Sequence, residues 1–313
     1  SGKSMSEDIQ PHRYEPIALS SESTVVAEFL HESGIAREAG YQSEADLERD
    51  FIRQLQAQAY EYLPLASEAD LIANLRRQLE KLNKITFSDA EWDRFFGTCI
   101  AGANDGITEK TARIQEDPVQ VLRRDDGSIK NITLIDKTNI HNNALQVINQ
   151  YEAEGARKNR YDVTILVNGL PMVHVELKRR GADIREAFNQ ISRYQRESFW
   201  AGSGLFEYVQ LFVISNGTLT KYYSNTVRDG HLAEQRSKRS KSAKSNSFAF
   251  TSWWADAKNK PITDLIDFAR TFFARNTLLN ILTRYCVFDV DRRLLVMRPY
   301  QIVAAERILQ RIV

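Results

Sequence analysis

The chain has 313 residues, of which 42% are hydrophobic and 27% charged, with a formal net charge of +1. These values suit a globular protein with a sizeable core, long enough for one large domain and part of a second. They exclude a strongly basic nucleic-acid binder, so any such contact must rest on local charge, and no run approaches the ~20 apolar residues of a membrane span.

Ser1-Gly2-Lys3-Ser4 precedes Met5 and reads as a cloning scar; it mimics the tail of a phosphate-binding loop but lacks the upstream glycine and strand. The polar stretch 5–25 has the look of a frayed end, not of a secretory leader. Residues 43–60 predict a helix, with Leu47, Phe51, Ile52 and Leu55 on one stripe and Ser43 as N-cap. Residues 68–83 predict a second helix, and residues 88–101 a third, capped by Ser88. Cys99, in that third helix, and Cys286 lie far apart and match no zinc or disulfide framework, which fits a reducing cytoplasm.

The periodicity then changes to two. Strands are expected at 131–136, 144–153 and 161–168, with Gly169-Leu170-Pro171 as a turn and 172–178 as the return strand of a hairpin. Residues 183–197 look helical, 208–215 form an apolar strand buried on both faces, and Asn216-Gly217 turns the chain into a short strand at 218–222. Residues 227–247 break all periodicity; their Lys-, Arg- and Ser-rich run reads as a loop that could hold DNA, touch a neighbouring domain or simply be solvated. Trp253-Trp254 suits a core or interdomain contact better than a base-stacking platform. Helix returns at 262–285, a strand at 292–297 and an amphipathic helix at 300–313.

The hairpin carries the chemistry. Side chains two apart on a strand share a face, so Glu176 and Lys178 project together while Val173, Val175 and Leu177 point into a core. The turn sets Asp162 across from the end of the second strand, where two carboxylates and an ammonium converge. Mg²⁺ prefers oxygen ligands, which Asp162, Glu176 and the Leu177 carbonyl could supply. Such a metal polarises a phosphate and lowers the pKa of a water, and Lys178 could orient that water and offset charge on the phosphate. The same spacing also describes a solvated strand face with a salt bridge, and spacing alone does not decide. The histidines at 12, 31, 141, 174 and 231 form no metal-ligand pair; His174 shares the face of Glu176 and could line the site, but reads first as an ordinary core residue.

The order strand, turn, strand, helix, buried strand resembles the PD-(D/E)XK nuclease fold, an α/β architecture with a central mixed sheet flanked by helices. The run YDVTILVNGLPMVHVELKRRG, then NQISRY, then LFVISNGTLTKYY is similar to the N-terminal region of the motor-and-nuclease R (HsdR) subunit of type I restriction enzymes. The resemblance covers roughly residues 40–225 and resumes near 297–310. It implies catalytic roles for Asp162, Glu176 and Lys178. It implies that Gln190 and Tyr194, one helical turn apart, form a Q-x-x-x-Y motif that supports DNA contact or positions the site. It also implies a metal-facing glutamate on the early helix, for which Glu48 and Glu44 are candidates and the surrounding pattern favours Glu48. Tyr161 stands where the superfamily name leads one to expect proline, a position that ligates nothing. Arg179 and Arg180 could contact phosphates beside the cut or end a strand in solvent.

Met297-Arg298-Pro299-Tyr300-Gln301 resembles the start of a superfamily 2 helicase-like motor, where Gln301, with Arg298 nearby, would read the adenine of ATP. The phosphate-binding and acidic ATPase motifs do not appear before residue 313, so this stretch is not expected to hydrolyse ATP. The domain reading is an endonuclease domain over 5–260, then a helical linker and a truncated motor domain over 261–313. The implied cofactors are Mg²⁺ and, for the full-length subunit, ATP. The implied partners are double-stranded DNA and the methyltransferase (M) and specificity (S) subunits, in the cytoplasm and away from membrane. Cleavage would be unspecific at the cut and coupled to ATP-driven translocation. The rivals are a non-enzymatic DNA clamp or docking module, against which the intact Asp-Glu-Lys set argues, and another nuclease–motor fusion such as a repair exonuclease.

Overall fold

The computed structural model describes residues 14–16, 27–29, 42–226, 251–288 and 294–296. A short antiparallel pair, β1 (Tyr14–Pro16) with β2 (Ala27–Phe29), precedes α1 (Glu44–Ala57). Ser43 starts α1 as expected: its hydroxyl accepts from the Asp46 N–H at 3.1 Å, and the Asp46 carboxylate accepts from the Ser43 N–H in return. β3 (Glu61–Tyr62), α2 (Glu68–Asn83) and α3 (Asp89–Phe95) follow, the last capped by Ser88. The helix expected to run on to residue 101 instead loosens into a π-helical turn at Phe96–Ile100, which begins beside Gly97.

α4 (Ile107–Gln115) and the hairpin of β4 (Val119–Arg123) with β5 (Ile129–Thr133) lead to the centre of the fold. There β6 (Leu145–Glu154), β7 (Lys158–Val167) and β8 (Leu170–Leu177) form an antiparallel meander. β9 (Leu211–Ser215) runs parallel to β8, a pairing that needs a crossover, and α5 (Arg185–Glu197) supplies it. β10 (Thr220–Ser224) and β11 (Ser252–Trp253) complete a seven-stranded mixed sheet of order β11-β10-β9-β8-β7-β6-β3. Flanking helices make this an α/β fold compatible with a nuclease. Strands β8 and β9 are buried along their whole length, as central strands covered on both faces must be.

The β7–β8 turn differs from the expected Gly169-Leu170-Pro171. It is Asn168-Gly169, with φ of 52° and 86°, and Leu170 already begins β8. Two positive φ values suit the tight turn that matches the twist of its flanking strands, and Asn-Gly is the pair that adopts them most readily. A Cβ on Gly169 would also lie 2.6 Å from the Leu75 Cα, so the turn docks directly on α2.

The helical stretch expected at 262–285 is two helices, α6 (Leu265–Thr271) and α7 (Arg275–Arg284), followed by a hairpin of β12 (Cys286–Phe288) with β13 (Leu294–Val296). Phe273, between the helices, packs edge-on against Phe51 of α1, and its carbonyl accepts from Tyr60 Oη at 2.8 Å. These helices thus share the core of the sheet domain. Among the described residues no helix is long and apolar enough to cross a membrane. The basic run at 236–244, the helix at 300–313, Arg298 and Gln301 lie outside the described residues, as does the segment 1–4.

Candidate active site

Strand register brings the acidic pair together. β7 and β8 align Val163 with Val175 and Thr164 with His174. The next step of the same ladder sets Asp162 opposite Glu176, and directly opposed side chains share a face. The Asp162 carboxylate accepts the Leu177 N–H at 2.9 Å, so strand β8 itself holds it. Glu176 is fully buried and its oxygens are separately tied. His174 Nε2 lies 2.9 Å from Oε2, and the Tyr194 hydroxyl lies 3.2 Å from Oε1.

Burial pushes both carboxyls up to about 8, and for Asp162 the facing Glu176 charge adds to the effect. Two carboxylates this close in low dielectric do not both ionise easily without a cation. Burial pushes the His174 imidazole the other way, down to about 4, and burial raises the Tyr194 hydroxyl.

Lys178, half-buried, leaves the sheet on the same face as Glu176 and donates to Gln190 Oε1. Gln190 Nε2 in turn donates to the Tyr194 hydroxyl at 2.5 Å, and Tyr194 also meets the Arg160 carbonyl at 2.9 Å. Helix α5 therefore closes a loop of contacts, Lys178 to Gln190 to Tyr194 to Glu176, over the face that carries the acids. Of the two roles implied for Gln190 and Tyr194, positioning of the site is the one this geometry favours.

A cleft of about 620 Å³ opens beside Asp162, lined by Glu44, Glu48 and Arg53 of α1 and by Asn149 and Gln150 of β6. Glu48 lies on this wall with its carboxylate gripped by Asn149 Nδ2 at 2.6 Å and Gln150 Nε2 at 2.5 Å. The β6–β7 ladder skips the step between its Asn149–Val163 and Tyr151–Tyr161 pairs, where Gln150 has a left-handed φ of 52°, so the strand distorts where the cleft meets the acid. Among the described residues no three His, Cys, Asp or Glu side chains gather as a metal cluster, and Glu48 shares with the Asp162–Glu176 pair only the cleft that Asp162 also lines.

The chain matches the family model for the type I restriction enzyme R protein N terminus over residues 41–231, a span that contains every residue of this site. The chain belongs to the type I restriction enzyme R protein family. It is 51% identical over 298 residues to the type I restriction enzyme EcoprrI endonuclease subunit of Escherichia coli, covering 95% of this chain and 90% of that protein. It is 40% identical over 276 residues to a type I restriction enzyme endonuclease subunit of Staphylococcus aureus, where it covers 86% of this chain and 27% of the relative. A putative subunit of the same kind from Methanocaldococcus jannaschii is 27% identical over 170 residues, which is 53% of this chain and 14% of that protein. The chain thus spans about a quarter of the longer Staphylococcus relative's length.

Within this family fold, Asp162, Glu176, Lys178, Gln190 and Tyr194 lie together. Arg180 is occupied elsewhere: its guanidinium donates to Gln42 Oε1 at 2.7 Å and Thr218 Oγ1 at 3.1 Å, and lies 3.9 Å from Asp264. Arg179 is exposed. Sequence reasoning passed over Asn149 and Gln150; the signal was two adjacent amides interrupting an apolar strand. His174 was legible on the face of Glu176 as a residue that could line the site, with the ordinary core reading preferred.

Proposed function

We propose that this chain carries the DNA-cleaving site of a type I restriction R subunit. The reaction is divalent-cation-dependent hydrolysis of a phosphodiester, with no sequence preference at the cut. The observation that carries this reading is the buried Asp162–Glu176 pair, with Lys178 held beside it by Gln190.

The donor set fits Mg²⁺, which needs only one or two carboxylates and keeps several waters. Asp162 and Glu176 would hold the ion. The Leu177 carbonyl would join them, because it lies on the same side of β8 as the N–H that reaches Asp162. Glu48 is a further candidate from the cleft wall. When bound, the ion supplies a polarised phosphate and a water of lowered pKa. The rest falls to this chain's residues. Lys178 orients the attacking water and offsets charge growing on the phosphate. Gln190 aims Lys178, and Tyr194 braces Glu176. Arg53 and Arg179, both exposed, suit contacts to flanking phosphates, which position a duplex without reading its sequence.

In a full-length subunit this site would work with an ATP-driven motor, to which Gln301 and Arg298 would contribute, and with methyltransferase and specificity subunits in the cytoplasm. The test is Mg²⁺-dependent cutting of plasmid DNA by the full-length subunit with those partners. Asp162→Ala and Lys178→Ala should each lower the rate by about 10²-fold or more while leaving ATP hydrolysis intact. Undiminished cutting by both variants would overturn the assignment.

A further inference from the structure

Resting on the reading of Asp162 and Glu176 as cation ligands, we propose that His174 is a positioning residue whose Nε2–H fixes the Glu176 carboxylate for the ion. Residues 174 and 176 alternate onto one face of β8, and both side chains are fully buried. The Nε2···Oε2 separation is 2.9 Å. A carboxylate only accepts hydrogen bonds, so when Glu176 is ionised the proton of this contact sits on Nε2. The Tyr194 hydroxyl lies 3.2 Å from Oε1 but shares its single proton with the nearer Arg160 carbonyl at 2.9 Å, so His174 is the donor that belongs to Glu176 alone. Each oxygen keeps lone pairs for a cation, and the plane of the carboxylate is set chiefly from the Oε2 end.

The rest of the imidazole sets this arrangement apart from an ordinary core histidine. Nδ1 is buried and has no hydrogen-bond partner among the described residues. Its ring is boxed by Tyr161, Tyr194, Phe199 and Phe212 at centroid distances of 5.6, 6.0, 5.8 and 6.5 Å, mostly edge to face. An apolar side chain would fill that box without leaving a buried nitrogen unpaired. What histidine adds is one aimed donor. Hydrogen bonds of this kind behind a ligand govern metal affinity about 10–100-fold in well-studied sites.

The test measures binding of Mn²⁺ alone to the whole chain, by counting free ion in electron paramagnetic resonance, together with the thermal midpoint of the metal-free protein. His174→Leu fills the box but donates nothing; His174→Gln restores an N–H donor. The expected result is a metal-free midpoint for His174→Leu at or above wild type, Mn²⁺ affinity weakened about tenfold or more, and recovery of most of that loss in His174→Gln. Wild-type affinity in the Leu variant overturns the proposal, and equal loss in both variants does so too, since packing would then explain it. Glu176→Gln separates this from the underlying reading. If that variant binds Mn²⁺ like wild type, the cation site itself is misassigned and the role of His174 falls with it.

Discussion

The Asp162 and Glu176 carboxyls stay protonated up to about 8, whereas an exposed carboxyl releases its proton near ~4. Between those values the native chain holds protons that the unfolded chain has lost. Stability therefore falls as pH rises through this window: it is fully present below the unfolded value and is lost on passing the folded one. In chelator, the thermal midpoint should decline from about pH 5 to about pH 9. A divalent cation that binds only the native pair should restore it, by more at the upper end of the range. Asp162→Asn should flatten the profile, raise the metal-free midpoint at high pH and abolish the response to Mg²⁺. Scanning calorimetry at several pH values reads all three effects. A wild-type midpoint that rises across the range would contradict the assignment of buried, mutually repelling acids. Placing like charges where chemistry needs them commonly costs stability in this way.

The β6–β7 turn lies close against the end of α5. The Ala156 N–H donates to the Glu197 carbonyl at 2.8 Å. A Cβ on Gly155 would fall 2.1 Å from that same oxygen and 2.8 Å from the Ser198 Cα, both backbone atoms. Gly155→Ala should therefore push the turn off the helix and cost about 1–3 kcal/mol, read as a lower urea midpoint. Because α5 also carries Gln190 and Tyr194, cleavage should fall along with stability. This junction was invisible in the sequence, and the reason extends to the other elements. Helices α1, α2 and α5 and strands β7 and β8 announce themselves through an apolar stripe or alternation. Helix α4 does not, since its buried residues include Lys110 and Thr111, made tolerable by partners remote in sequence: Lys110 meets Glu207 at 2.9 Å, and Thr111 meets Asn225 at 2.7 Å. β4 hides for the opposite reason, because Val119 and Val121 are exposed. The same limit holds in the site. Strand alternation places Asp162, Glu176 and Lys178 on one face, but nothing in the spacing says that Gln190 turns toward Lys178, or that Asn149 and Gln150 grip Glu48 across the cleft.

On the scale of the whole molecule, the cleft wall depends on residues far along the chain. Helix α1, which carries Glu48 and Arg53, has its other side against the α6–α7 corner. Phe273 there is fully buried, its ring 5.4 Å from Phe51, 5.7 Å from Phe268 and 5.1 Å from Phe272. Its carbonyl also accepts from Gln58 Nε2 at 3.0 Å, so side chain and backbone both anchor α1. Deleting such a ring leaves a cavity that a corner pinned by backbone hydrogen bonds cannot close. Phe273→Ala should cost about 3–5 kcal/mol and should lower the midpoint of the entire sheet domain in one transition. If residues 262–285 acted as a linker outside the domain, urea titration would show two transitions and only the minor one would move. A single displaced transition would mean that the C-terminal helices fold as one unit with the sheet that carries the cleft.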